Sequence, residues 1–111
     1  LYYYRALYWQ MVKQRDKAAV DFFNAIALDN TWTEPYLHLS AHYLAEENYE
    51  QATLWLEELN ILHPDDPNVL NNLAVAYAGN GKTEQAKALW QQIVQKYPSF
   101  EIARKNLEKL Q

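Results

Sequence analysis

The chain has 111 residues, half of them hydrophobic, with a net charge of −4 and no cysteine. That suits one domain with a real core and argues against disorder. It also removes disulfide frameworks and thiolate metal sites from consideration. No apolar run approaches the ~18 residues that a membrane helix needs, so direct membrane insertion is not expected. No signal-peptide pattern opens the chain. Leu1 already lies inside a hydrophobic stretch with no cap before it, as expected of a fragment of a longer protein.

Charge is unevenly spread. Residues 1–30 carry four Lys/Arg and three Asp/Glu, residues 31–66 carry no Lys/Arg and eight Asp/Glu, and residues 67–111 carry six Lys/Arg and three Asp/Glu. Nucleic acid needs a continuous basic track, and an acidic middle between mildly basic ends disfavours it.

Apolar residues recur at three and four, as on amphipathic helices, and neither the period-two alternation nor the turn clusters of strands occur. In chain order the pattern predicts seven helices, at about 2–12, 16–29, 34–46, 49–62, 67–79, 83–96 and 100–110. Thr33 is expected to cap the third helix, with Pro35 tolerated in its first turn. Asn48 with Gln51 reads as a capping box for the fourth. Asp66 before Pro67 is a helix N-cap with proline at the first helical position. Gly79-Asn80-Gly81 stops the fifth helix in a tight turn. Ser99 is expected to cap the last.

At an offset of 34 the sequence repeats. Ala18 meets Ala52 and Ala86, and Phe22 meets Leu56 and Trp90. Ala6 meets Ser40 and Ala74, Trp9 meets Tyr43 and Tyr77, and Tyr2 meets Tyr36 and Leu70. A small residue on one helix lets the partner backbone come close, and the large residue a turn away fills the space beside it. The pattern resembles the tetratricopeptide repeat, W-x2-L-G-x2-Y followed by A-x3-F, A and P. The third unit matches best, through Leu70, Leu73-Ala74, Tyr77, Gly81, Ala86, Trp90 and Pro98. In the first unit Asn30 replaces the proline, and Leu59 and Ile93 stand where the family prefers alanine. The units run 1–32, 33–66 and 67–98. Residues 99–111 read as a capping helix in which Ile102 and Leu107 cover Leu89 and Ile93.

The resemblance implies an all-α solenoid, a right-handed superhelical stack of antiparallel helix pairs. It also implies a concave groove lined by the first helix of each pair. Carried over, the groove positions are Tyr3, Leu7, Gln10 and Met11, then Glu34, Leu37, His38, Ala41 and Leu44, then Asn68, Asn71, Asn72 and Val75. None belongs to the core pattern, and Asn71 and Asn72 could hydrogen-bond a ligand backbone. One branch of the family clamps a C-terminal carboxylate with lysine, arginine and asparagine. Tyr3, Leu7 and His38 stand at clamp positions here, so that specificity is not expected. The implied function is a scaffold that binds an extended peptide or a helix in an apolar groove. The alternative is a structural module whose groove or end face is filled by its own parent chain or by a second copy.

Residues that carry chemistry are few. Gly81-Lys82-Thr83 matches the tail of a phosphate loop, but Ala76 replaces the required glycine and a helix precedes it instead of a strand. His38 and His42 are one helical turn apart, with Glu34 and Glu46 in the same row. They could share a metal, but a third ligand is not apparent and a helix-interface role is the simpler reading. His63 reads as part of a solvated turn, Ser40 as a small packing residue, and Glu46-Glu47 and Glu57-Glu58 as solvated faces. Trp9 and Trp90 fall at core positions. Trp32 and Trp55 either pack between units or form a sticky patch. No catalytic residue, metal site or cofactor is expected, and the chain is not expected to be an enzyme.

Overall fold

The computed structural model describes residues 1–110, and there the chain forms seven α-helices and no strand. These are α1 (Tyr2–Met11), α2 (Arg15–Leu28), α3 (Thr33–Ala45), α4 (Tyr49–Leu62), α5 (Pro67–Gly79), α6 (Thr83–Lys96) and α7 (Glu101–Lys109). Each helix packs against the next in chain order, giving a stack 43 Å long and 24 by 21 Å across. The architecture is the expected all-α helical-repeat solenoid. Gln111, at the end of the expected cap, lies outside the described residues.

The 34-residue period is written into the backbone. Lys13, Glu47 and Gly81 take left-handed φ values of 63°, 57° and 82° in the three within-hairpin turns. The next N–H in each reaches back five residues: Gln14 to the Trp9 carbonyl (2.8 Å), Asn48 to Tyr43 (2.9 Å) and Lys82 to Tyr77 (2.8 Å). This is the bond of a Schellman cap. Only the third turn uses glycine. Gly79 is needed for another reason, since a Cβ there would lie 2.6 Å from the Tyr49 ring.

Two expected caps are present. The Asp66 carboxylate accepts from the Asn68 N–H at 2.9 Å, and Asn48 Oδ1 accepts from the Gln51 N–H at 3.3 Å. Two are not. Thr33 is already the first residue of α3, behind an extended Trp32, and Phe100 rather than Ser99 holds the N-cap position of α7; neither cap makes a side-chain bond. The reason is packing. The Trp32 ring lies 4.5 Å from that of Tyr3, and Phe100 packs on the core of the third hairpin. Half-buried aromatics, not polar oxygens, fix these two helix starts.

The small residues at the offset of 34 are sealed from solvent. Ala6, Ala52, Ala74 and Ala86 are 0% exposed, and Ala18 and Ser40 are 2%. Phe22, Leu56 and Trp90 are buried beside them. The cap docks differently from expectation. Ala103 is fully buried whereas Ile102 is 58% exposed, and Phe100, Leu107 and Leu110 complete the contact. α7 thus approaches at a small residue, as the other helices do, and that turns Ile102 outward.

Two buried polar groups join paired helices. Asp21, 3% exposed, accepts two bonds from Arg5 at 2.8 Å and one from Trp9 Nε1 at 3.0 Å. In the third hairpin Trp90 Nε1 donates to Asn71 Oδ1 at 2.8 Å. The Arg5 bonds hold the Asp21 carboxyl below its ordinary value of 3.8, against the opposing effect of burial. A depressed carboxyl stabilises the fold fully above its unfolded value, and the contribution is lost as pH falls through the folded value.

Two outcomes are expected. Asp21→Asn should lower the melting temperature at neutral pH by roughly 5–10 °C, and the difference from the parent should shrink as the buffer is taken below about pH 4. A deficit that stays constant across that range would show that the charge is not what matters. Glu47→Gly should raise stability by up to about 1 kcal/mol by removing a left-handed Cβ, and Gly81→Ala should lower it by about 1–2 kcal/mol. Urea denaturation midpoints measure both.

Candidate functional site

The first hairpin and α3 enclose an open cavity of about 240 Å³ lined by Gln10, Arg15, Ala18, Ala19, Phe22, His38, Ala41 and His42. Three of these, Gln10, His38 and Ala41, are groove positions expected from the sequence. Arg15, Ala18, Ala19 and Phe22 come from α2. Phe22 was legible only as a core residue, yet the wall of this cavity includes its ring. His38 stacks flat on that ring, with centroids 4.7 Å apart and planes 1° apart. The Tyr3 hydroxyl lies 3.3 Å from His38 Nε2. Burial pushes the His38 pKa below the ordinary 6.5, partly opposed by Glu34. The His38 imidazole is therefore uncharged at neutral pH.

The remaining groove positions divide into two sets. Met11, Glu34, Leu37 and Asn68 are exposed, and Tyr3 and Asn72 are half-buried. Leu7, Leu44 and Val75 pack against core clusters, as the Tyr3 ring also does, so their apolar character serves packing between helices. Asn71 is 8% exposed, and its Oδ1 is taken by Trp90 and, at 3.3 Å, by Asn106. It has no free acceptor for a ligand. Periodicity could not reveal this, because its partners lie 19 and 35 residues away.

A second open cavity, of about 370 Å³, is lined by Tyr36, Gln51, Leu54, Trp55, Glu57 and Glu58 on α3 and α4. Trp55 packs edge-on to Phe23 and Tyr36, and its Nε1 is buried without a partner among the described residues. Glu57 is not free surface. It accepts from the Tyr77 hydroxyl at 2.7 Å, and burial with this carboxylate pushes the Tyr77 pKa up to about 12.

The other sequence candidates are structural. The Ser40 hydroxyl donates to the Leu37 carbonyl at 3.0 Å. Gly81 and Lys82 form the turn into α6, and His63 pairs with Asp66 at 3.2 Å. The two histidines of α3 part company. His38 is engaged by Phe22 and Tyr3, whereas His42 stands with Glu46 and with Asp16 of α2, their donor atoms all within 4.8 Å of one another. Asp16 is 26 positions before His42, so no local pattern links them. No described helix is long and apolar enough to cross a membrane.

The tetratricopeptide-repeat family model matches residues 43–109. No curated protein sequence matches the chain. Among solved structures, the first tetratricopeptide domain of Spaghetti (RPAP3), bound to the HSP90 peptide SRMEEVD, is similar with a TM-score of 0.85 at 14% identity, over 98% of this chain and 86% of that one. PcrH in complex with the chaperone-binding region of PopD gives 0.80 at 19% identity, over 98% and 87%. The Yersinia enterocolitica type III secretion chaperone SycD, in complex with a peptide of the translocator YopD, gives 0.77 at 17% identity, over 98% and 86%. These likenesses concern the fold, and the family model spans more than half of the sequence. The chain belongs to the tetratricopeptide-repeat family.

Proposed function

We propose that the protein is a protein-interaction scaffold that takes an extended peptide or a helix between its first and second hairpins. The observation that carries this reading is the open cavity where Gln10, His38 and Ala41 meet the Phe22 ring. Its apolar floor suits a buried anchor side chain, and Gln10 and Arg15 supply polar contacts at its edge. Tyr3 and Leu37 flank it as apolar surface, Leu37 being 39% exposed. The peptides held by structurally similar proteins support the reading. A terminal-carboxylate clamp does not form part of it, because Tyr3 and His38 pair with each other. The function is binding rather than chemistry, and needs no cofactor.

A second reading has its own observation. Tyr4, Tyr8 and Met11 of α1 and its C-cap Val12 recur at helical spacing and are 69, 51, 73 and 41% exposed. A self-assembling module would bury that stripe against its own parent chain or a second copy, and size-exclusion elution would then shift with dilution.

Peptides selected from a displayed random library against the native chain provide the probe for the first reading. Ala41→Trp fills the cavity from an exposed position and should weaken the selected peptides at least about tenfold, with helical content intact. Leu54→Glu, in the second cavity, should leave their affinity unchanged. The reverse result would move the binding surface to α3 and α4.

A further inference from the structure

The end of α3 and the start of α2 bring together three ionisable side chains, of which one, His42, also lines the cavity. His42 and Glu46 are four residues apart on one face of α3, and Asp16 comes from the first turn of α2. Their donor atoms, one imidazole nitrogen and two carboxylate oxygens, lie within 4.8 Å of one another. Two carboxylates that close repel unless a positive charge joins them. No ion pair among the described residues engages either one. Arg15 lines the cavity beside them, but it makes no such pair.

We infer that Asp16, His42 and Glu46 form a binding site for a divalent transition-metal ion, with zinc the best match. Donors around an ion at about 2.0–2.2 Å stand roughly 3–3.5 Å apart, so small side-chain rotations close the present arrangement. Asp16 and Glu46 are exposed and His42 is half-buried, which leaves them free to make those rotations. An imidazole with two carboxylates suits zinc and its first-row neighbours, whereas magnesium and calcium take oxygen ligands throughout. The His38–His42 pair suggested by spacing alone is not the site, because His38 is stacked on Phe22 and faces Tyr3. The bound ion ties α2 to α3 and so fastens the first hairpin to the second. Three protein ligands leave a coordination position open to water beside the cavity. The site stands on its own geometry and holds whether or not a peptide occupies that cavity.

The test is calorimetric titration of the metal-free chain with zinc chloride, repeated with magnesium chloride. Melting is followed with zinc and with a chelator. Zinc should bind at one equivalent and raise the melting temperature, and magnesium should do neither. Asp16→Asn, His42→Gln and Glu46→Gln should each weaken zinc by more than about tenfold, with unchanged circular dichroism in the absence of metal. His63→Gln should bind as the parent does. Cobalt gives a second readout, through visible absorption that His42→Gln should abolish. Absence of zinc binding at saturating concentration would overturn the inference. Binding that survives Asp16→Asn and Glu46→Gln but is lost in His38→Gln would overturn it in favour of the histidine pair.

Discussion

The closeness of paired helices is the constraint on which the rest of the fold depends. It is set by Ala6, Ser40 and Ala74 on the first helices of the hairpins and by Ala18, Ala52 and Ala86 on the second, none more than 2% exposed. A larger side chain at any of these would push two backbones apart and open the space that Phe22, Leu56 and Trp90 fill. The cap obeys the same rule through Ala103. Because the helices approach this closely, each within-hairpin turn must be short. The left-handed residue at Lys13, Glu47 and Gly81 is the consequence. The first two positions tolerate that conformation without glycine, which shows how strongly the flanking helices fix it.

Steric identity between hairpins coexists with polar difference. In the first, the indole N–H of Trp9 is satisfied by Asp21, which Arg5 keeps ionised. In the third, that of Trp90 is satisfied by Asn71. In the second, Trp55 Nε1 and Asn60 Oδ1 are buried without partners among the described residues. Two hairpins thus carry a specific polar lock and the middle one does not. It is held instead from its neighbours: Tyr77 of α5 bonds Glu57, and Lys96 and the Tyr97 hydroxyl both reach Asp65. Two of the eight acids of residues 31–66, Glu57 and Asp65, therefore bind the second hairpin to the third.

What was legible in the sequence follows from this division. Helix positions, the spacing of small and large residues and the caps at Asn48 and Asp66 are local or periodic facts, and a single strand of sequence carries them. The starts of α3 and α7 were misplaced because Trp32 and Phe100 fix them by packing across the stack, where Thr33 and Ser99 offered only local polar chemistry. Among the groove positions, Gln10, His38 and Ala41 come together as a surface. Leu7, Leu44 and Val75 were indistinguishable from them by spacing, because a first-helix residue between the core row and the open face can turn either way. Only the neighbouring hairpin decides which. Asn71 was lost to Trp90, and Asp16 was not found at all, since each depends on a partner in another helix.

The withdrawal of Asn71 also bears on where recognition is concentrated. With its oxygen committed to Trp90 and Asn106, the third hairpin keeps only Asn68 and Asn72 as polar groove groups, and Val75 is turned partly into the core. The first two hairpins, by contrast, present an aromatic floor, an uncharged imidazole, and Gln10 and Arg15 at the rim. A side chain entering there meets apolar walls that release water and few groups that must be desolvated without reward, which favours binding. Near the third hairpin the same side chain would displace water from amides without gaining a deep pocket. On the proposed reading, anchoring falls at the junction of the first and second hairpins. The third hairpin, fastened by its indole–amide bond and its cap, would on that reading be the rigid base against which the junction is held.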